Sequence, residues 1–158
     1  MDWKDGNIDG VVVRPAVLHA DARGWLAEIF RADDLAPGDM PAMGYVSVTR
    51  PGVTRGPHEH AAQTDCFGFL GPGTFRVYLW DQRPASPTRG CRMIVVAGEQ
   101  RPTVMVVPPG VVHAYRNISE RDSWVMNFPN RLYAGKGKKE RVDEIRYEDR
   151  ASSDFPMP

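Results

Sequence analysis

The sequence predicts an all-β fold, a sandwich or barrel of short strands in a single domain, and three observations predict it. Short apolar or alternating runs recur between turn signals along the chain. Proline and glycine, 14 and 15 residues, break most windows that could hold a helix. A chain of 158 residues buries a substantial core without disulfides or a structural metal.

The runs in chain order are residues 11–13, 25–30, 45–48, 66–70, 74–80, 93–96, 103–107, 113–118 and 124–128. In 74–80, Phe75, Val77 and Leu79 alternate with Arg76, Tyr78 and Trp80, the period of a strand with two distinct faces. Gly71-Pro72-Gly73 supplies the backbone freedom for a hairpin reversal ahead of it. Only residues 31–35, before Pro37-Gly38, leave room for a short helix. From Gly135 the chain is polar, and Lys136, Lys138, Lys139 and Arg141 read as a solvated tail whose last residues, 152–158, fray. No repeat, linker or boundary divides the chain, so one domain spans 1–158.

Acidic and basic residues balance at 20 each, so no net field recruits nucleic acid or an anionic membrane. The start, Met1-Asp2-Trp3-Lys4-Asp5, lacks the make-up of a secretion signal, and no run reaches membrane-spanning length. A cytoplasmic protein acting on a small molecule is expected. Cys66 and Cys91 lie in apolar runs and read as buried thiols.

The chemistry concentrates on histidine. In Gly56-Pro57-His58-Glu59-His60, the two-residue period of a strand sends His58 and His60 to one face and Glu59 to the other. Asp65 follows across a bend, and His113 stands just past the turn Pro108-Pro109-Gly110. Three imidazoles and a carboxylate suit a divalent ion, and this donor set does not choose among Zn, Fe, Ni, Co and Mn.

This spacing resembles the cupins. Gly52 to His60 reproduces the first cupin motif, a Gly, five residues and His-x-His, with Asp65 where its acidic ligand belongs. Pro108, Gly110, His113 and Asn117 match the second motif, whose opening Gly is replaced by Pro102. The resemblance implies a double-stranded β-helix, or jelly-roll barrel, with His58, His60, Asp65 and His113 as metal ligands.

A closer resemblance, from about Asp21 to Tyr133, is to the dTDP-4-dehydrorhamnose 3,5-epimerase family. Asp21-Ala22-Arg23-Gly24-Trp25-Leu26-Ala27-Glu28 is similar to its Asp-x-Arg-Gly-aromatic-x-x-Glu, and Arg55-Gly56-Pro57-His58 to its Arg-Gly-Leu-His. Residues 81–90 follow its Asp-x-Arg-x-x-Ser-Pro-Thr-x-Gly, residues 110–115 its Gly-x-x-His-Gly-Phe, and Tyr133 a late family Tyr. The resemblance implies a homodimeric isomerase acting on a 4-keto-6-deoxy sugar nucleotide. His58 would be the base, and Arg23, Trp25, Glu28, Arg55, Gln63, His113 and Tyr115 would hold substrate.

The sequence departs from that family where the chemistry is decided. The family Lys that faces the enolate aligns with Asp65, and its proton-donating Tyr aligns with Met126 or Asn127. Its acidic partner for the base lies in a carboxy-terminal extension that this shorter chain is expected to lack. His60 and Asp65 together suggest that a divalent ion replaces the Lys as electrophile. A His bound to metal is not a base, so the proton then moves through Glu59, Tyr115, Tyr133 or bound water, with Tyr133 favoured by its match to the family. Two other readings stand beside this one: a metal cupin acting on another small carbonyl compound, and a binding cupin without catalysis.

Overall fold

The computed structural model describes residues 2–148 and 154–158. The strands are β1 (Lys4–Asp5), β2 (Val12–Pro15), β3 (Leu18–Asp21), β4 (Gly24–Ala27), β5 (Tyr45–Thr49), β6 (Thr54–Glu59) and β7 (Asp65–Phe69). They continue as β8 (Thr74–Asp81), β9 (Cys91–Gly98), β10 (Thr103–Val107), β11 (Val111–Asn117), β12 (Ser123–Asn127) and β13 (Ile145–Arg146). A six-stranded sheet has the order β1-β9-β8-β11-β6-β13, and a five-stranded sheet the order β2-β10-β7-β12-β5. β3 and β4 form a separate hairpin. Strands far apart in sequence lie side by side, β6 against β11 and β5 against β12, which is the crossed connectivity of the expected jelly-roll barrel.

The alternation in β8 builds the core. Phe75, Val77 and Leu79 pack with Phe67 and Phe69 of β7, Met105 and Val107 of β10 and Val125 of β12, filling the space between the sheets. Each such side chain contributes roughly 1.5–3 kcal/mol by leaving water.

Tyr78 and Trp80, on the other face of β8, are buried as well. Trp3, Tyr147, Phe155 and Met157 cover them. The Tyr78 hydroxyl donates to the Pro158 carbonyl at 2.9 Å, and Trp3 Nε1 donates to the Asp154 carbonyl at 2.7 Å. Residues 154–158 are therefore docked on the sheet and not frayed, because Phe155, only 3% exposed, shields apolar surface that would otherwise face water. Residues 152 and 153 lie outside the described residues.

Other expectations are corrected. Residues 31–35 form turns, not a helix: one bond from Asp34 N–H to the Arg31 carbonyl closes the first turn, and Arg31 pairs sideways with Asp33. The run 25–30 is a strand only to Ala27, after which Ile29 and Phe30 fold over the outer face of the five-stranded sheet beside Phe128. Gly71-Pro72-Gly73 does not close a hairpin. It carries the chain from β7 in one sheet to β8 in the other, while β8 pairs with β9 and β11. Gly73 has φ of 80°, and a Cβ there would stand 1.9 Å from Ser123 Oγ.

Candidate active site

His58 on β6 and His113 on β11 are direct partners in the antiparallel register, with ring centroids 4.4 Å apart. The approach depends on Gly56, whose φ is +83° and where a Cβ would stand 2.5 Å from the His113 carbonyl oxygen. His60 follows the end of β6 and faces the same way as His58, their centroids 5.6 Å apart. One nitrogen from each of His58, His60 and His113 lies within 4.8 Å of the others. The strand period thus delivers the cluster expected from the sequence.

Asp65 opens β7 on the opposite sheet and is 1% exposed. Its Oδ1 accepts from Gln63 Nε2 at 2.9 Å and Asn127 Nδ2 at 2.8 Å. Its Oδ2 stands 3.3 Å from His60 Nε2 and 3.5 Å from His113 Nε2. His113 Nδ1 donates to the Val111 carbonyl at 3.1 Å, and His60 Nδ1 makes a short bond to the Asp143 carbonyl. With the Nδ1 protons so placed, two Nε2 lone pairs converge on a carboxylate oxygen. His113 Nε2 is buried and, among the described residues, has Asp65 beside it but no hydrogen-bond partner.

The charge states follow. Burial, reinforced by His113 and His60, pushes the His58 imidazole down to about 2, so it is neutral. Burial also lowers His113. For His60 burial acts downward, but the hydrogen bond and charge of Asp65 outweigh it and raise the imidazole. Asp65, despite burial, is brought down to about 2 by His60 and His113, so it is an anion.

The cavity above this cluster has a volume of about 780 Å³. Tyr45 and Ser47 of β5, Arg55 and His58 of β6, His60, Gln63, Phe67 and Tyr115 form its inner wall. Most residues of 129–144, with Arg146 and Glu148, form the rim, so the polar tail is part of the site and not simply solvated. It is tied down because β13 pairs with β6, Arg146 opposite His58, and because the Asp143 carboxylate accepts from Ala61 and Ala62 N–H at 2.8 and 2.9 Å. It also brings an acid to the histidines, contrary to the expectation from chain length: Glu144 Oε1 lies 3.9 Å from His58 Nδ1.

The remaining sequence candidates divide into two groups. Arg55, Gln63, Tyr115 and Tyr133 line the cavity, Tyr133 at its rim and 54% exposed. Glu59 is turned away from it, accepting from Tyr147 and Gln82 at 2.5 and 3.0 Å. Arg23, Trp25 and Glu28 sit on or beside the β3–β4 hairpin, exposed and outside the cavity of their own chain, with Arg23 paired to Asp21 at 2.5 Å. Sequence reasoning missed Glu144, Asp143 and Arg146, for which a polar tail carries no signal, and Tyr45, which sits in a run read only as a strand.

A family model, dTDP-4-dehydrorhamnose 3,5-epimerase, matches residues 5–152. The chain belongs to that family. A probable low-salt glycan biosynthesis epimerase of Haloferax volcanii is 38% identical over 128 residues, 80% of this chain and 81% of that protein. A spore coat polysaccharide biosynthesis protein of Bacillus subtilis is 34% identical over 128 residues, 80% of this chain and 82% of its own. Among solved structures, a 3'-monoepimerase from Streptomyces bikiniensis in complex with dTDP-quinovose is similar with a TM-score of 0.75 at 25% identity, covering 90% of this chain and 71% of that one. The Legionella pneumophila dTDP-6-deoxy-D-glucose-3,5-epimerase shares the fold, with a TM-score of 0.76 at 22% identity and coverage of 98% and 82%. The family is one of carbohydrate epimerases on the cupin jelly roll, so the chain is an isomerase of that class. Among the described residues no helix is long and apolar enough to cross a membrane.

Proposed function

We propose that the protein epimerises or isomerises a 4-keto-6-deoxy sugar carried on a nucleotide, with His58 removing a proton alpha to the keto group. The observation that carries this reading is His58 facing the cavity, its ring 4.4 Å from that of His113 and its Nδ1 3.9 Å from Glu144, beside the Asp65 carboxylate that attracts a cation. Burial favours the neutral imidazole, the form that can accept a proton. Glu144, 3.9 Å from Nδ1, is placed to favour the imidazolium once it forms.

The enolate needs a positive neighbour, and Asp65 by itself would oppose it. Asp65 instead draws a cation between itself and the two Nε2 atoms, either a proton on His60 or a divalent ion. The donor set suits an ion: one nitrogen from each of His58, His60 and His113 lies within 4.8 Å of the others, and Asp65 Oδ2 stands 3.3 and 3.5 Å from His60 Nε2 and His113 Nε2. His60, Asp65 and His113 would hold it, and His58 completes the quartet only by giving up its lone pair. When bound, such an ion, whether Zn, Fe, Ni, Co or Mn, supplies Lewis-acid polarisation of the keto oxygen.

Arg55, Gln63 and Tyr115 contact substrate in this reading, and the exposed hairpin with Arg23, Trp25 and Glu28 reaches the cavity of a second copy in a homodimer. A cytoplasmic setting suits the two free thiols. Incubation with dTDP-4-keto-6-deoxyglucose in heavy water tests the activity: deuterium enters alpha to the keto group, and His58→Asn abolishes it. Failure of the wild type to exchange any such proton overturns the reading. Metal analysis of protein purified without added ions distinguishes the ion, found in stoichiometric amount, from the proton, with none found and none bound on titration.

A further inference from the structure

Inverting a carbon centre requires that a proton leave one face of the enolate plane and that another arrive on the opposite face. The cavity takes side chains from both sheets, so an acid for the second step must stand across it from His58. His58 stands on β6 in the six-stranded sheet, whereas Tyr45 stands on β5 in the five-stranded sheet, and both side chains line the cavity.

The Tyr45 hydroxyl is fixed in place. Tyr45 and Asn127 are direct register partners, and Asn127 Nδ2 donates to the Tyr45 oxygen at 2.9 Å and to Asp65 Oδ1 at 2.8 Å. The carboxylate decides the orientation of the amide, because only the NH2 end is attracted to an anion. The Tyr45 oxygen therefore accepts, and its own hydrogen is left to donate into the cavity. The other tyrosines lining the cavity are placed differently. Tyr115 lies on β11 in the same sheet as His58, its hydroxyl 3.4 Å from Ser47 Oγ. Tyr133 follows β12 in the rim, more than half exposed, with its backbone N–H on Met43 Sδ.

We propose that Tyr45 is the general acid, delivering its phenolic proton to the enolate carbon on the face opposite His58; this rests on the epimerase reading above. His58 takes the first proton, and the C–H electron pair passes into the enolate. That pair then forms the new C–H bond with the Tyr45 proton, leaving a phenolate. Solvent at the open mouth reprotonates the phenolate and removes the proton from His58. Burial, helped by the charge of Asp65 against the opposing Asn127 bond, pushes the Tyr45 hydroxyl up to about 12, which keeps it protonated between turnovers.

The experiment compares wild type, Tyr45→Phe and Tyr133→Phe on dTDP-4-keto-6-deoxyglucose in heavy water, following deuterium uptake alpha to the keto group and formation of the inverted sugar. In Tyr45→Phe, uptake with retention continues within a few-fold through His58, KM moves little, and inversion falls by about 10²–10⁴-fold. Tyr133→Phe leaves the ratio of uptake to inversion unchanged. Equal loss of both rates in Tyr45→Phe, unchanged inversion in it, or collapse of the ratio in Tyr133→Phe overturns the proposal. A wild type that exchanges no proton overturns the epimerase reading and takes this proposal with it, so the two failures are distinct.

Discussion

Replacing Asp65 with asparagine removes the charge that organises the site and leaves its shape intact. Oδ1 takes two amide donors, from Gln63 and Asn127, so the carbonyl end of the introduced amide occupies that position. Its NH2 end then faces His60 Nε2 and His113 Nε2, 3.3 and 3.5 Å away, and donates to their lone pairs. Oδ1 keeps its two donors and the Nε2 atoms gain one, and exchanging a buried charged arrangement for a neutral one of equal volume costs little. Stability should change by no more than about 1 kcal/mol, a shift in Tm under roughly 4 °C for a chain of this size. The cation, by contrast, loses its anchor. Asp65 is what raises His60 against burial, so the variant's His60 becomes neutral and any divalent ion loses a ligand. Loss of one preorganised charge facing an enolate slows proton exchange by about 10²–10³-fold. Heavy-water exchange measured beside thermal unfolding gives both numbers on one preparation. Wild-type exchange in Asp65→Asn would refute the role of the cation, and a fall in Tm beyond about 10 °C would show that the charge is structural.

Two further predictions concern the frame around the site. Asp81, fully buried, accepts from Arg83 Nε and Nη2, Ser86 Oγ and Thr88 Oγ1 at 2.5–2.9 Å, pinning the loop after β8. Burial acts to raise its carboxyl, but those bonds outweigh it and hold it well below the usual range. Its stabilisation is therefore full above the unfolded carboxyl value near 4 and is lost as pH falls below that toward the folded value. Asp81→Asn should cost about 3–5 kcal/mol at neutral pH, roughly 10 °C in Tm, with the gap to wild type narrowing below about pH 4; a gap independent of pH in urea unfolding contradicts this. Gly56→Ala places a methyl 2.5 Å from the His113 carbonyl oxygen at a positive φ. It should cost more than about 2 kcal/mol and lower deuterium exchange by separating His58 from His113, so a Tm within about 2 °C of wild type counts against the close strand approach as the cause.

Much of the site was legible because strand periodicity is local. His58 and His60 share a face and Glu59 does not, simply because they are one and two residues apart on an extended chain. The same rule found the inner face of β8. It failed on the outer face, where Tyr78 and Trp80 are covered by residues from the two ends of the chain, a contact that no local pattern encodes. The hairpin expected at Gly71-Pro72-Gly73 failed for a related reason: a turn motif reports that the chain bends, and not which strand it pairs with afterwards.

The sequence by itself determined the all-β class, the epimerase-family motifs, and the set of His58, His60, Asp65 and His113, because spacing and residue chemistry are properties of the chain alone. Tertiary structure decided what surrounds them. The packing of the two sheets put Tyr45 and His58 in one cavity from different sheets, and the pairing of β13 with β6 brought Glu144 to 3.9 Å from His58. Both facts depend on contacts between residues more than eighty positions apart or on separate sheets, and such contacts arise only when the barrel closes around its core.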